Sequence, residues 1–169
     1  SIEAGDNQQW WGYVADGAQL TSVGIQTAAT YHCAMFLPGN NDVLNGKELK
    51  AVRFNLVAGN ATDVKVWLAS SLPTESPTAS NTIQLVSVAD ADVDKTAATD
   101  VALPTPYTVP EEGVYVGYSF TITSATTQDD QYPVVSGGLD NPNGLFLRAE
   151  KSITQWTSLY GQGFGSLSL

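Results

Sequence analysis

The chain contains one cysteine, one histidine and one methionine in 169 residues, and only seven lysines and arginines. Each shortage excludes something. A lone Cys33 cannot close an internal disulfide, which removes the small disulfide-stapled modules from consideration. Its spacing with Tyr31, Met35 and Leu37 puts it on the apolar side of a strand, and nothing cationic beside it would stabilise a thiolate. A lone His32 means that any serine or cysteine nucleophile would have to use it. Adjacent Cys33 points to the opposite face of an extended strand and cannot be its partner, so His32 is expected to be structural. One histidine and one cysteine also fall short of an ordinary zinc ligand set. With seventeen acidic residues the net charge is -10, and Arg53 and Arg148 lie on separate predicted strands. Nucleic acid and anionic membrane surfaces both require clustered cations, so neither is expected as a partner. No apolar run approaches the roughly twenty residues of a membrane helix, and no charged and apolar leader opens the chain, so this segment is not expected to insert in a membrane.

Helical spacing is the other absence, and period-two alternation stands in its place. Val52, Phe54 and Leu56 alternate with Arg53 and Asn55; Val64, Val66 and Leu68 alternate with Asp63 and Lys65; Val114, Val116, Tyr118, Phe120 and Ile122 alternate with Tyr115, Gly117, Ser119 and Thr121. Successive strand side chains face opposite ways, so the pattern describes sheets with one buried face. Hydrophobic residues make up 43% of the chain, enough for one proper core. The expected fold is all-β, an antiparallel β-sandwich of jelly-roll type with about ten strands. Residues 1–9 read as a flexible polar lead and 10–169 as a single β-sandwich domain belonging to a longer polypeptide.

Turn chemistry divides the segments. Pro38-Gly39-Asn40-Asn41 closes the strand from Tyr31 to Leu37, and the loop from Ala58 to Thr62 has the glycine and asparagine of a hairpin joining the two strands around it. Pro104, Pro106 and Pro110 confine the segment around Val101–Val109 to an edge or an extended connection. Charged residues are 14% of the chain against a usual share of roughly a quarter, a balance that suits an extracellular β-protein.

Three chemistries remain for a site. Paired carboxylates would indicate glycosidase work, but the acids fall in predicted turns or at strand ends and none sits mid-strand with a second at matching spacing, so no enzymatic activity is expected. Asp90, Asp92 and Asp94 would throw three carboxylates to one side of an extended segment, and calcium is the ion such hard ligands suit. The spacing lacks the glycine and terminal glutamate of an EF-hand loop, and a solvated acidic turn is the plainer account. Aromatic residues are the third. Trp67 shares a strand face with Asp63 and Lys65, which would display it outward with Asn60 and Tyr115 as further ligand contacts; indole beside amides is how sheets stack on sugars. Burial of Trp67 beneath a loop or the other sheet is the competing expectation.

The order of segments carries a resemblance. Trp10-Trp11-Gly12-Tyr13, Tyr31-His32-Cys33-Ala34-Met35 with Leu37-Pro38, the run from Leu44 to Phe54, Val64-Lys65-Val66-Trp67-Leu68-Ala69 with Leu72-Pro73, and Tyr115-Val116-Gly117-Tyr118-Ser119-Phe120 with Tyr132-Pro133 follow one another. Together they resemble the jelly-roll-like β-sandwich modules of secreted and cell-surface proteins of Bacteroidetes bacteria, which include adhesin-like domains and often precede leucine-rich, immunoglobulin-like or peptidase regions. The resemblance spans nearly the whole chain and implies an exported, non-catalytic accessory module with other domains on the same polypeptide. It brings no shared catalytic residues. A glycan or an extracellular protein is then the expected partner. A structural spacer that binds nothing is the rival, and a fragment of a carbohydrate-active enzyme the third alternative.

Overall fold

A computed structural model of the chain describes residues 2–14, 20–23, 28–56, 61–123, 134–150, 153–162, 166–167 and 169. Among these residues the order is β1 (Leu20–Val23), β2 (Ala29–Leu37), β3 (Glu48–Asn55), β4 (Ala61–Ala69), β5 (Gln84–Val88), β6 (Ala98–Thr108), β7 (Val114–Ile122), β8 (Val134–Gly137), β9 (Phe146–Ala149), β10 (Ile153–Ser158) and β11 (Ser166–Leu167). A single 3-10 turn, Asp90–Asp92, lies between β5 and β6. All pairings are antiparallel. The main sheet runs β10-β9-β2-β7-β4-β5; β3-β6 and β1-β8-β11 form two smaller sheets, and among the described residues none of the three closes on itself. The expected all-β antiparallel sandwich is the architecture of the chain.

The core forms where the alternation predicts it. Tyr31, Cys33 and Met35 of β2, Val64, Val66 and Leu68 of β4, and Val116, Tyr118 and Phe120 of β7 are buried on one face of the main sheet. Val52 and Phe54 of β3 and Val101 and Leu103 of β6 close over them in the same cluster. Phe54 of β3 stacks across the layers on Tyr118 at 4.9 Å, and within the main sheet Phe120 stacks on Tyr118 at 5.9 Å and on Tyr31 at 5.2 Å. Each such pair adds of order 1 kcal/mol beyond the area it buries. Cys33 is buried in this core, and desolvation pushes its thiol pKa up, which leaves it inert.

One connection differs from the sequence-based expectation. Among the described residues β3 and β4 do not form a hairpin: β3 pairs with β6, while β4 pairs with β5 and β7. Both strands carry a strictly alternating apolar face, and that face meets the same core equally well from either layer, so turn residues alone do not decide pairing. The register of β4 shifts between Thr62 and Lys65, where Asp63 takes a positive φ of 53°, a bulge at the start of the strand. The prolines also find their place. β6 pairs with β3 through Ala102 and again at Tyr107, and Pro104 and Pro106 sit in the gap between the two stretches of ladder.

Residues at the start of the chain lie against the outside of β3 and β6. Arg53 binds Asp100 through Nε at 2.7 Å and Nη2 at 3.0 Å and stacks on the Trp10 ring at 3.9 Å. The Ile2 amide donates to the same carboxylate at 2.6 Å.

Candidate functional site

The second face of the main sheet holds the chain's unusual side chains. In register across it, Trp67 of β4 lies opposite Gly117 of β7, Gly117 opposite Ala34 of β2, and Ala34 opposite Phe146 of β9. Glycine and alanine leave a trough on the sheet, and the Trp67 indole fills it. A Cβ at position 117 would fall 2.3 Å from the indole Cζ2, a distance no side chain tolerates. Trp156 meets Trp67 edge-on at 6.1 Å, and Leu72 and Leu85 pack on the same cluster. The segment from Ser70 to Asn81 closes over them: Trp156 Nε1 donates to the Pro73 carbonyl at 2.6 Å, and Pro73 and Pro77 are themselves buried.

Beside the indole runs a polar relay with a determined direction. Trp67 Nε1 can only donate, and it donates to Ser119 Oγ at 3.0 Å. The Ser119 hydroxyl lies 2.7 Å from His32 Nδ1, and His32 Nε2 lies 3.3 Å from Glu150 Oε1. Glu150 as a carboxylate only accepts, so His32 carries its proton on Nε2 and Ser119 donates to Nδ1. Ser76 of the covering loop donates to the same Glu150 oxygen at 2.5 Å. Burial lowers the His32 pKa from its ordinary value; the Glu150 hydrogen bond opposes that and the Arg148 charge adds to it. The Ser76 hydrogen bond, then that of His32, holds the Glu150 pKa below the usual range against desolvation. A serine, a histidine and an acid therefore do meet on this chain. As a nucleophile the serine is badly placed: Ser119 is 3% exposed, it lies beneath an indole whose N–H occupies its oxygen, and it bonds the buried His32.

Further along the same face three rings reach solvent in part. Phe36 of β2 pairs in register with Tyr115 of β7, their rings 4.8 Å apart at 52°. Tyr115 meets Phe146 of β9 at 5.8 Å and 78°. Phe36 lies against Gly113, whose φ of 82° and missing side chain admit the ring.

Of the residues expected as a binding set, Trp67 and Tyr115 share one cluster on this face, and only Tyr115 reaches solvent in part. Tyr115 is at the centre of the partly exposed row. Trp67 lies on the predicted sheet face but is fully buried, so its expected outward display is corrected: a loop covers it and its indole fills the trough over Gly117. Asn60 lies outside the described residues. Asp90 and Asp92 occupy the 3-10 turn, and Asp94 folds back to accept from the amides of Thr96 and Ala97 at 2.8 and 2.9 Å, which lowers its pKa. The segment is not extended, the premise on which the three carboxylates would share a side. Among the described residues no group of three histidines, cysteines or acids could hold a metal ion. Sequence reasoning missed the relay and the Phe36–Phe146 flanks. Gly117 inside a long strand was the available signal, since an interior glycine marks close approach of another group.

Comparison of the chain with protein-family models, curated proteins and solved structures finds no match.

Proposed function

We propose that this chain is a non-catalytic accessory module of a secreted or cell-surface bacterial protein, adhesin-like in role, whose ligand contacts the outer face of the main sheet. The observation that carries the proposal is the row Phe36, Tyr115 and Phe146, three aromatic side chains with Tyr115 in contact with each of the others and all partly open to solvent on one sheet face. Aromatic clusters of this kind bind extracellular ligands because a large rigid ring contributes contact area at low entropic cost. Location rests on the resemblance and on the sparse charge of the chain.

The test is a binding screen of the folded chain against glycans and extracellular proteins, repeated with Tyr115→Ala. A ligand that loses affinity for a variant with unchanged melting temperature supports the module; failure to retain any ligand supports a spacer. The spacer is the second reading because Trp67, the residue best suited to a flat sugar platform, is enclosed and serves packing.

A further inference from the structure

We infer that the occupant of the Phe36–Tyr115–Phe146 row is a protein segment that presents an apolar side chain flanked by basic residues, rather than a sugar. The inference rests on reading this face as a binding surface and specifies its ligand. Ring geometry is the first ground. A pyranose presents a flat apolar face, and a run of sugars needs aromatic planes that share a direction. Here Phe36 is tilted 52° from Tyr115, and Tyr115 stands 78° from Phe146. Neighbouring rings turned this way offer no shared plane, and their tilt is the one in which a further branched or aromatic side chain packs edge-to-face, as in protein interiors. Trp67, whose indole lies over the sheet at Gly117, is enclosed and adds no plane to the row.

Charge is the second ground. Phe36 packs on Gly113, the third residue of the turn Glu111-Glu112-Gly113, and Tyr115 follows two residues later, so this exposed acidic turn adjoins the end of the row, with Glu112 also close enough to Tyr107 to act on it electrostatically. The neighbouring loops meet at this end: Gly39 lies against Pro110, and the Phe36 amide donates to the Asn143 carbonyl at 2.8 Å. In these loops Asp42, Glu111, Glu112 and Asp140 outnumber Lys47, and Arg148, two residues from Phe146 on the same face of β9, is itself engaged by Glu150 at 3.9 Å and by the Thr154 carbonyl, on a chain of net charge -10. An approaching acidic or neutral segment gains nothing from that field, whereas a basic one is attracted and oriented by it.

The probes are two synthetic peptides of equal length, one alternating leucine with arginine and the other leucine with glutamate, together with cellohexaose. Each is titrated into the isotopically labelled chain while backbone amide shifts are followed by NMR. The arginine peptide is expected to move the amides of Phe36, Gly113, Tyr115 and Phe146, to bind at least about tenfold more weakly to Tyr115→Ala, and to weaken several-fold with added salt and in a Glu111→Gln, Glu112→Gln double variant. That double variant changes only exposed side chains, so it reports binding without loss of fold. If cellohexaose moves the same amides and the arginine peptide does not, this inference is overturned while the binding surface stands. If no probe moves them, both fail.

Discussion

At the scale of single residues, Ser119 has more consequence than its size suggests. Its hydroxyl accepts from Trp67 and lies 2.7 Å from His32 Nδ1, so one oxygen satisfies two buried ring nitrogens. Ser119→Ala removes little volume but leaves an indole N–H and an imidazole nitrogen unpaired in a dry layer. A buried group stripped of its partner costs about 1–3 kcal/mol, more than the average hydrogen bond contributes when made. The variant is expected to remain folded with a melting temperature lower by roughly 2–4 °C for each kcal/mol lost, measured by calorimetry. A Ser119→Ala melt equal to that of the parent chain would show that the relay contributes nothing to stability.

At the scale of the strand, β7 is built with two unlike faces. Val114, Val116, Tyr118, Phe120 and Ile122 enter the main core, while Tyr115, Gly117 and Ser119 serve in turn as a partly exposed ring, a gap and a hydrogen-bond relay. Alanine is ordinarily the better strand residue, and Gly117→Ala would stabilise an isolated β7. In the folded sheet its methyl must displace the Trp67 indole, and the indole is held by Ser119, Trp156 and the covering loop. Overpacking of this sort costs about 1–3 kcal/mol. Denaturant unfolding of Gly117→Ala is therefore expected to show a lower midpoint with an unchanged slope, together with a shifted Trp fluorescence maximum. Conventional strand propensity predicts the opposite sign, so the experiment separates the two effects.

At the scale of the whole molecule, the relay makes stability depend on pH. The folded-state pKa of His32 is lowered by burial, so the unfolded chain binds the proton more readily. The contribution is fully present above the unfolded value of about 6.5 and is lost as pH falls from there through the folded pKa. Glu150 and Asp100 are also lowered, by Ser76 and by Arg53 respectively, and their contributions hold above the ordinary carboxylate range and are lost below it. All three act in one direction. Urea midpoints are expected to be higher at pH 7.5 than at 5.5, with His32→Gln reducing that difference and a further drop near pH 4 remaining in the variant. A midpoint that rises on acidification to 5.5 would contradict the assigned state of His32.

Period two alone determined that this chain is a β-protein and which side of β2, β4 and β7 enters the main core, because strand geometry ties side-chain direction to position without reference to any other strand. It also put Trp67, Tyr115, Gly117 and Ser119 on a common kind of face. Whether that face is open or covered was decided only by tertiary structure: the loop from Ser70 to Asn81 and β10 lie far from β7 in sequence, and their packing encloses Trp67 while leaving Tyr115 partly exposed. The pairing of β3 with β6 instead of β4 was settled the same way, since alternating strands of equal apolarity can join either layer and only the assembled core distinguishes them. His32, Ser119 and Glu150 meet for the same reason. They are separated by 87 and 118 positions from the histidine, and a contact between such distant residues exists only when the sheet order β9-β2-β7 has been made.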